Sequence, residues 1–478
     1  MAHDEGTRPD PSPIELPAFD RREFLRLAAL GGAAASAAAF LAACGAAASP
    51  SASTVSAAPS GAASAPASVA PSAAIGRTVK IGYVTPATGP FSEFAAADNY
   101  VLNGVKEAIG SGIVNGDTTY PIEIIVKDSQ SDPNRAAAVA GELILDDEID
   151  LMLVASTPET TNPVSDQCEA NGVPCVSTVA PWQPYFLGRQ PGVAPPDTKP
   201  FAWTYHFFWG LEDIIAVFTD MWSQVPNNKA VGGLWPNDGD GQAWSSPEVG
   251  FPPALTAAGY TLTSPPLYET LTQDFSSQIR SFKNAGVEIL TGVPIPPDFT
   301  TFWQQAAQQD FKPKIASIGK ALLFPSSPAG LGELGEGLSS EVWWSPSHPF
   351  SSSLTGASSK ALADGYMAAE SKQWTQPIGF IHAVFEVGLD ALSRATNVND
   401  KATVRDAIKA TALDTIVGRV EWNGAGLPPF AAANVAKTPL VGGQWVKGTT
   451  YPYDLVIVSN KDHPDIPAGG TLKAIPGS

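Results

Sequence analysis

Short runs rich in Val, Ile and Leu alternate with longer amphipathic stretches along most of this chain, and that alternation narrows the fold more than any other feature. Val79 to Val84, Ile122 to Val126, Leu151 to Ala155 and Pro174 to Thr178 read as strands apolar on both faces, the pattern of a covered parallel sheet. Between them Phe94 to Ile109, Asn134 to Leu145 and Asn162 to Ala170 read as helices, the second with Asp132-Pro133 as N-cap and first-turn proline. The pattern resumes beyond Pro200. Helix Leu211 to Gln224 precedes strand Ala230 to Trp235, helix Phe275 to Ala285 precedes Val287 to Val293, and helix Phe299 to Gln309 precedes Lys314 to Ile318. Leu338 to Trp344 reads as a strand, and helices follow at Ser358 to Gln373, Ile378 to Ala395 and Lys401 to Ala410, the last with Asp400 as N-cap. Further strands are expected near Ile416 to Trp422 and Leu455 to Ser459. Strand and helix alternating at this spacing require right-handed crossovers and parallel sheets. A body running from Val79 to Ser478 exceeds what one core fills, so the expectation is an α/β fold of two doubly wound, Rossmann-like lobes.

The first residues are of a different material. A polar, Pro-rich head leads into Phe19-Asp20-Arg21-Arg22-Glu23-Phe24-Leu25-Arg26, then into Ala, Gly, Leu and Ser up to Cys44. That is the layout of an export signal with charged, apolar and small-residue regions. The paired arginines look like a twin-arginine motif, and Leu41-Ala42-Ala43-Cys44 looks like a lipobox whose cysteine is acylated. Residues 1–43 are thus expected to be a lipoprotein signal peptide and Cys44 a lipid anchor on the outer face of the cytoplasmic membrane. An uncut anchor over Leu25 to Ala43 is the alternative, only just long enough to span and weakly hydrophobic. Residues 44–76 are mostly Ala, Ser, Pro and Gly with no aromatic residue and no charge, a composition that cannot bury enough apolar surface to order itself and is expected to form a tether.

Composition excludes some functions. The first 43 residues hold four Arg and six Asp or Glu, so of 28 Lys and Arg and 47 Asp and Glu in the whole chain 24 and 41 remain, a net charge of about −17. No basic face for nucleic acid is visible, because such binding rests largely on phosphate neutralisation. Cys168 and Cys175 flank a Gly-Val-Pro turn and are expected to form a disulfide outside the cytoplasm, two small buried thiols being the plainer alternative. No metal and no cofactor is expected. Catalytic elbows, His-Glu-x-x-His and phosphate-loop patterns do not occur, and Asn237-Asp238-Gly239-Asp240-Gly241 lacks the ligand run of a calcium loop. The chain is expected not to be an enzyme.

Several ordered stations resemble one family. Val79-Lys80-Ile81-Gly82-Tyr83-Val84-Thr85-Pro86-Ala87-Thr88-Gly89-Pro90 is similar to the first strand and loop of type I periplasmic binding proteins of the branched-chain amino acid (Leu/Ile/Val) class, receptors of ABC importers. Asp128-Ser129-Gln130-Ser131-Asp132-Pro133 resembles the turn after that family's second strand, and Asn171-Gly172-Val173-Pro174-Cys175-Val176-Ser177 a later strand. Phe275 to Ile279 and Gly418 to Gly424 match further stations in order. The resemblance implies two lobes joined by a three-crossover hinge, with 77–201 plus 342–440 as the first lobe and 202–341 plus 441–478 as the second. It also implies a monomer that captures an amino-acid-like or carboxylate-bearing solute for ABC permease and ATPase subunits. A sensory receptor of the same fold, reporting to a membrane partner, is the alternative.

Four loops are then expected to hold the ligand. Phe91 and Phe94 follow the first strand. Ser156, Thr157 and Thr160 open a helix whose N-terminus favours a carboxylate, although each could equally serve as a cap. Ala180 and Trp182 stand where the family uses a backbone carbonyl and a hydroxyl, and Trp182 cannot supply the hydroxyl. Tyr205 and Phe208, with Trp203 and Trp209 near them, and Gly292-Val293-Pro294 come from around the second lobe. Where the family places a carboxylate for an ammonium, this sequence has Gly319-Lys320-Ala321; an inward Lys320 would favour an anionic ligand.

Overall fold

The computed structural model describes residues 74–193 and 197–478. The expected signal peptide, Cys44 and almost all of the tether lie outside them. The last tether residues are ordered: Ala74–Ile75 pairs parallel with Thr118–Thr119, in a small three-stranded sheet completed by Ile113–Asn115.

Thirteen strands build the two main sheets. They are β1 Val79–Thr85, β2 Ile122–Asp128, β3 Leu151–Ala155, β4 Cys175–Thr178, β5 Thr204–Phe207, β6 Ala230–Leu234 and β7 Thr261–Thr263. After these come β8 Ile289–Gly292, β9 Ile315–Ile318, β10 Ser339–Val342, β11 Val435–Ala436, β12 Val441–Lys447 and β13 Tyr453–Ser459. The first sheet has the order β11-β5-β4-β3-β1-β2 and is parallel throughout. The second has the order β7-β6-β8-β9-β10-β12-β13 and is parallel except for β12, which runs antiparallel to both β10 and β13. Strand β3 is buried at all five positions, which is why its sequence is apolar without alternation.

Local chemistry sets the helices between them. In Pro133–Leu145 the Asp132 side chain accepts from the Arg135 N–H, a cap worth about 1 kcal/mol. That helix buries Ala136, Val139, Ala140 and Leu143, the spacing of one helical face. Pro377–Arg394 is apolar nearly all round because it is enclosed, packed on β3 and β4. Its Gly388 lets the backbones approach, since a Cβ there would stand 3.0 Å from Leu153.

The chain crosses between sheets three times, after β5, after β10 and after β11. The first lobe therefore runs past the expected boundary at 201 and 202, because β5 pairs with β4 in the first sheet. A helix expected from Asn162 starts one turn earlier, at Pro158, and tolerates Pro163 inside. Cys168, near the end of that helix, and Cys175, opening β4, are buried and free, so the expected disulfide is not formed. They sit in an apolar cluster with Val164, Val173 and Met152, and burial, with the adjacent Cys175, pushes the Cys168 thiol well up, away from the thiolate that oxidation needs. Among the described residues no helix is long and apolar enough to cross a membrane.

Candidate functional site

Loops and helix N-termini gather at the carboxyl ends of parallel strands, and a crevice opens where strand order reverses. That reversal lies between β1 and β3 in the first sheet and between β6 and β8 in the second. Loops from both places meet in one narrow cavity, whose free space, the part open to solvent included, is about 310 Å³. From the first lobe it is lined by Phe94, Thr157, Val179, Pro181, Phe208 and Trp209. The second lobe contributes Asp240, Trp244, Val293, Lys320, Leu323 and Glu341, and Trp343 stands at the crossover after β10.

Two lining residues hold strained backbone. Val179 has φ +74° and Lys320 φ +57°, the left-handed region that costs non-glycine residues about 1–3 kcal/mol and suits a β-branched residue least. Gly319, just before Lys320, has to be glycine, for a Cβ would come within 2.6 Å of the Trp244 ring.

The charges are concentrated on the second lobe. Lys320 Nζ lies 2.7 Å from Asp240 Oδ2, 3.1 Å from Asp238 Oδ2 and 3.8 Å from Glu159 Oε2. Asp238 caps the short helix Gly239–Trp244, accepting from the Gly241 N–H at 2.7 Å. Glu159 crosses from the first lobe, and its Oε1 accepts from the Gly239 N–H at 3.1 Å. Glu341 accepts from the Lys320 N–H at 3.0 Å and from the Ser340 hydroxyl at 3.0 Å. Burial pushes the Asp240 and Glu341 carboxyls up to about 7 each. Although burial opposes it, the surrounding carboxylates drive Lys320 the other way, well above its usual value, so the lysine is the partner that stays charged.

Lys320 thus lines the cavity, but its ammonium is enclosed by three carboxylates. The expectation that it favours an anionic ligand loses its basis, because no unpaired cation faces the cavity at this point. Of the other expected residues, Phe94, Thr157 and Phe208 line it too. Phe91 is buried beside it, its ring centre 5.8 Å from Lys320 Nζ. Ser156 and Thr160 are joined to each other, the Thr160 hydroxyl donating to Ser156 Oγ at 2.7 Å, and do not reach the cavity. Trp182 points elsewhere: its indole N–H donates to Glu212 at 3.0 Å, inside a separate cluster with Ala180, Tyr185 and Phe186. Tyr205 packs edge-on against Trp422. The Ala180 carbonyl is taken by His206 Nε2 at 2.7 Å, while His206 Nδ1 lies 2.8 Å from Ser177 Oγ. A carbonyl only accepts, so Nε2 carries the proton; burial pushes the ring down to about 3, and this histidine is a neutral brace for the loop after β4.

Five lining residues were not singled out from the sequence: Asp240, Trp244, Leu323, Glu341 and Trp343. A usable signal existed for Asp240, whose Asp-Gly-Asp-Gly run follows a strand of the parallel pattern where a helix N-terminus was due. The cavity also collects unsatisfied groups. Thr157 Oγ1, Asp240 Oδ1 and the indole nitrogens of Trp209, Trp244 and Trp343 are all buried with no hydrogen-bond partner. Such atoms each cost about 1–3 kcal/mol, and of those found among the described residues these five stand on residues that line one cavity. Among the described residues no group of three or more side chains is arranged to hold a metal.

Comparison with known proteins agrees with this geometry. A family model described as periplasmic binding protein matches residues 78–439. Leucine-binding protein LivK of Thermotoga maritima superposes with a TM-score of 0.64 at 18% identity, over 80% of this chain and 100% of its own. LivJ of Streptococcus pneumoniae, solved with isoleucine, gives 0.62 at 14% identity over 80% and 99%. A solute-binding protein of an ABC transporter from Rhodopseudomonas palustris, solved with 3,4-dihydroxybenzoic acid, gives 0.62 at 14% identity over 84% and 99%. No curated protein matches the chain. Two α/β lobes with parallel sheets, three crossovers and a cavity between the strand ends, together with a family match over most of its length, show that this chain belongs to the periplasmic binding protein family.

Proposed function

We propose that the chain is the extracytoplasmic solute receptor of an ABC importer, exported by the twin-arginine route and held at the membrane by a lipid on Cys44. The observation that carries this reading is the set of five unsatisfied polar atoms around one interlobe cavity. A solute would complete those bonds only when both walls reach it, which couples binding to closure of the lobes. Glu159 assists, since it belongs to the first lobe and both of its partners, Gly239 and Lys320, belong to the second. Phe94 against Phe324, ring centres 5.0 Å apart, adds an apolar contact across the same gap. The closed clamp then presents one surface to a permease, and the chain itself performs no turnover. A tether from Cys44 would keep clamp and permease at high effective concentration.

The test is uptake. Cells lacking the gene should fail to accumulate a solute that binds the purified protein, and a Cys44→Ala chain should be released from the membrane fraction. Normal uptake in the deletion, with a signalling response lost instead, would replace import with sensing.

A further inference from the structure

Resting on the solute-binding reading, we propose that the solute is an uncharged ring compound rich in hydrogen-bond acceptors, such as an aromatic amide, ketone or lactone. Three features of the cavity lead there. Five of its walls are aromatic: Phe94, Phe208, Trp209, Trp244 and Trp343. Parting of the lobes would free faces of these rings for a flat body. The unsatisfied atoms are mostly neutral donors, three indole N–H groups and the Thr157 hydroxyl, against one acceptor, Asp240 Oδ1. A secondary amide, whose carbonyl oxygen accepts through two lone pairs and whose single N–H donates, fits that polarity.

The charges argue against the other classes. A carboxylate would satisfy the donors, but it would enter beside Asp238, Asp240 and Glu159, which outnumber the one ammonium among them. The helix start that could receive it carries Pro158, without an N–H, and then Glu159, itself an anion. A cation would have to displace Lys320 from its carboxylates and would leave the indole N–H groups unpaired. A zwitterion meets both objections. The chain has placed an opposite pair of its own, Glu159 and Lys320, between the lobes beside the cavity, and they lie 3.8 Å apart.

The experiment compares matched sets on one ring by titration calorimetry and thermal shift with the full processed chain. Benzoate, benzamide, benzylamine and phenylalanine form one set, and the indole and cyclohexane analogues form two more. The expected result is that amides bind at least about tenfold more tightly than the carboxylate, amine or amino acid of the same set. A Trp343→Phe variant, which keeps a six-membered ring but removes the N–H, should weaken binding of the amide about fivefold more than binding of the same ring without a polar group. A charged member that binds as well as its amide overturns this inference alone. Panels in which no member binds overturn it together with the solute-binding reading beneath it, and unchanged amide binding by Trp343→Phe removes the donors from the argument.

Discussion

The two walls of the cleft are built from the same kind of strand end and differ in what they carry. The first-lobe wall is Phe94, Thr157, Val179, Pro181, Phe208 and Trp209, without a charge. The second-lobe wall holds Asp240, Lys320 and Glu341, with Asp238 directly behind. Charge confined to one wall and compensated there does not select a charged ligand; it fixes the wall's own shape. Lys320 is the centre of that compensation, and the largest effect is expected from removing it. Lys320→Met leaves three carboxylates facing one another in a buried site, a loss of about 3–5 kcal/mol by urea unfolding at pH 8. Without the ammonium the folded pKa values of Asp238 and Asp240, already raised by burial, rise further, so the deficit should shrink toward pH 5 as they take up protons. An equal midpoint for variant and parent at both pH values would show that the carboxylates do not depend on Lys320.

Glu341 sharpens the comparison on the same wall. Burial raises its carboxyl to about 7 from the ordinary 4.5, so the folded state binds its proton more tightly than the unfolded chain does. Its contribution to stability is therefore complete below about pH 4.5 and is lost as pH rises through 7. Glu341→Gln keeps the acceptor for the Lys320 N–H, and its amide can donate to Ser340, whose hydroxyl also donates to the Ile318 carbonyl. The variant should gain about 2–3 kcal/mol at pH 8 and show a flatter stability profile between pH 4.5 and 7 in urea titrations. A profile as steep as the parent's would place the titration on Asp240 or another group.

The walls also differ in how far they could be read from the sequence. Strands β1, β3 and β4 were legible because parallel strands covered on both faces are plain apolar runs, whereas β2, expected to be covered too, is an edge strand with no fully buried position; Asp132 and Asp400 marked real caps. Strand β12 was not, since Val441-Gly442-Gly443 reads as a turn. Those glycines serve packing, for a Cβ on Gly442 would meet Met221 Sδ at 2.4 Å and one on Gly443 would meet Val342 at 2.6 Å. Phe94, Thr157, Phe208 and Lys320 were found by their places after strands. What could not be read was the environment of Lys320, because Glu159, Asp238 and Asp240 come from sequence positions far from it and only the fold brings them within 4 Å. Trp182 was misplaced for a similar reason: its position in the loop is right, and Glu212 turns it away.

The smallest effect expected is at the one charge that belongs to the first lobe and acts on the second. Glu159 gives Gly239 a hydrogen bond at 3.1 Å and approaches Lys320 only to 3.8 Å, so the ion pair contributes little beside the hydrogen bond. Glu159→Gln keeps an acceptor for the Gly239 N–H and removes the charge, whereas Glu159→Ala removes both. If Glu159 links the walls, the Gln variant should lower the closed-to-open ratio about twofold and the Ala variant about fivefold, read as interlobe distance distributions from spin labels placed on each lobe. Both substitutions should leave the unfolding midpoint of each lobe nearly unchanged, because the hydrogen bond and the ion pair of Glu159 run between lobes and not within either one. Equal distance distributions for parent, Gln and Ala chains would mean that Phe94 against Phe324 and the three crossovers hold the lobes together without it.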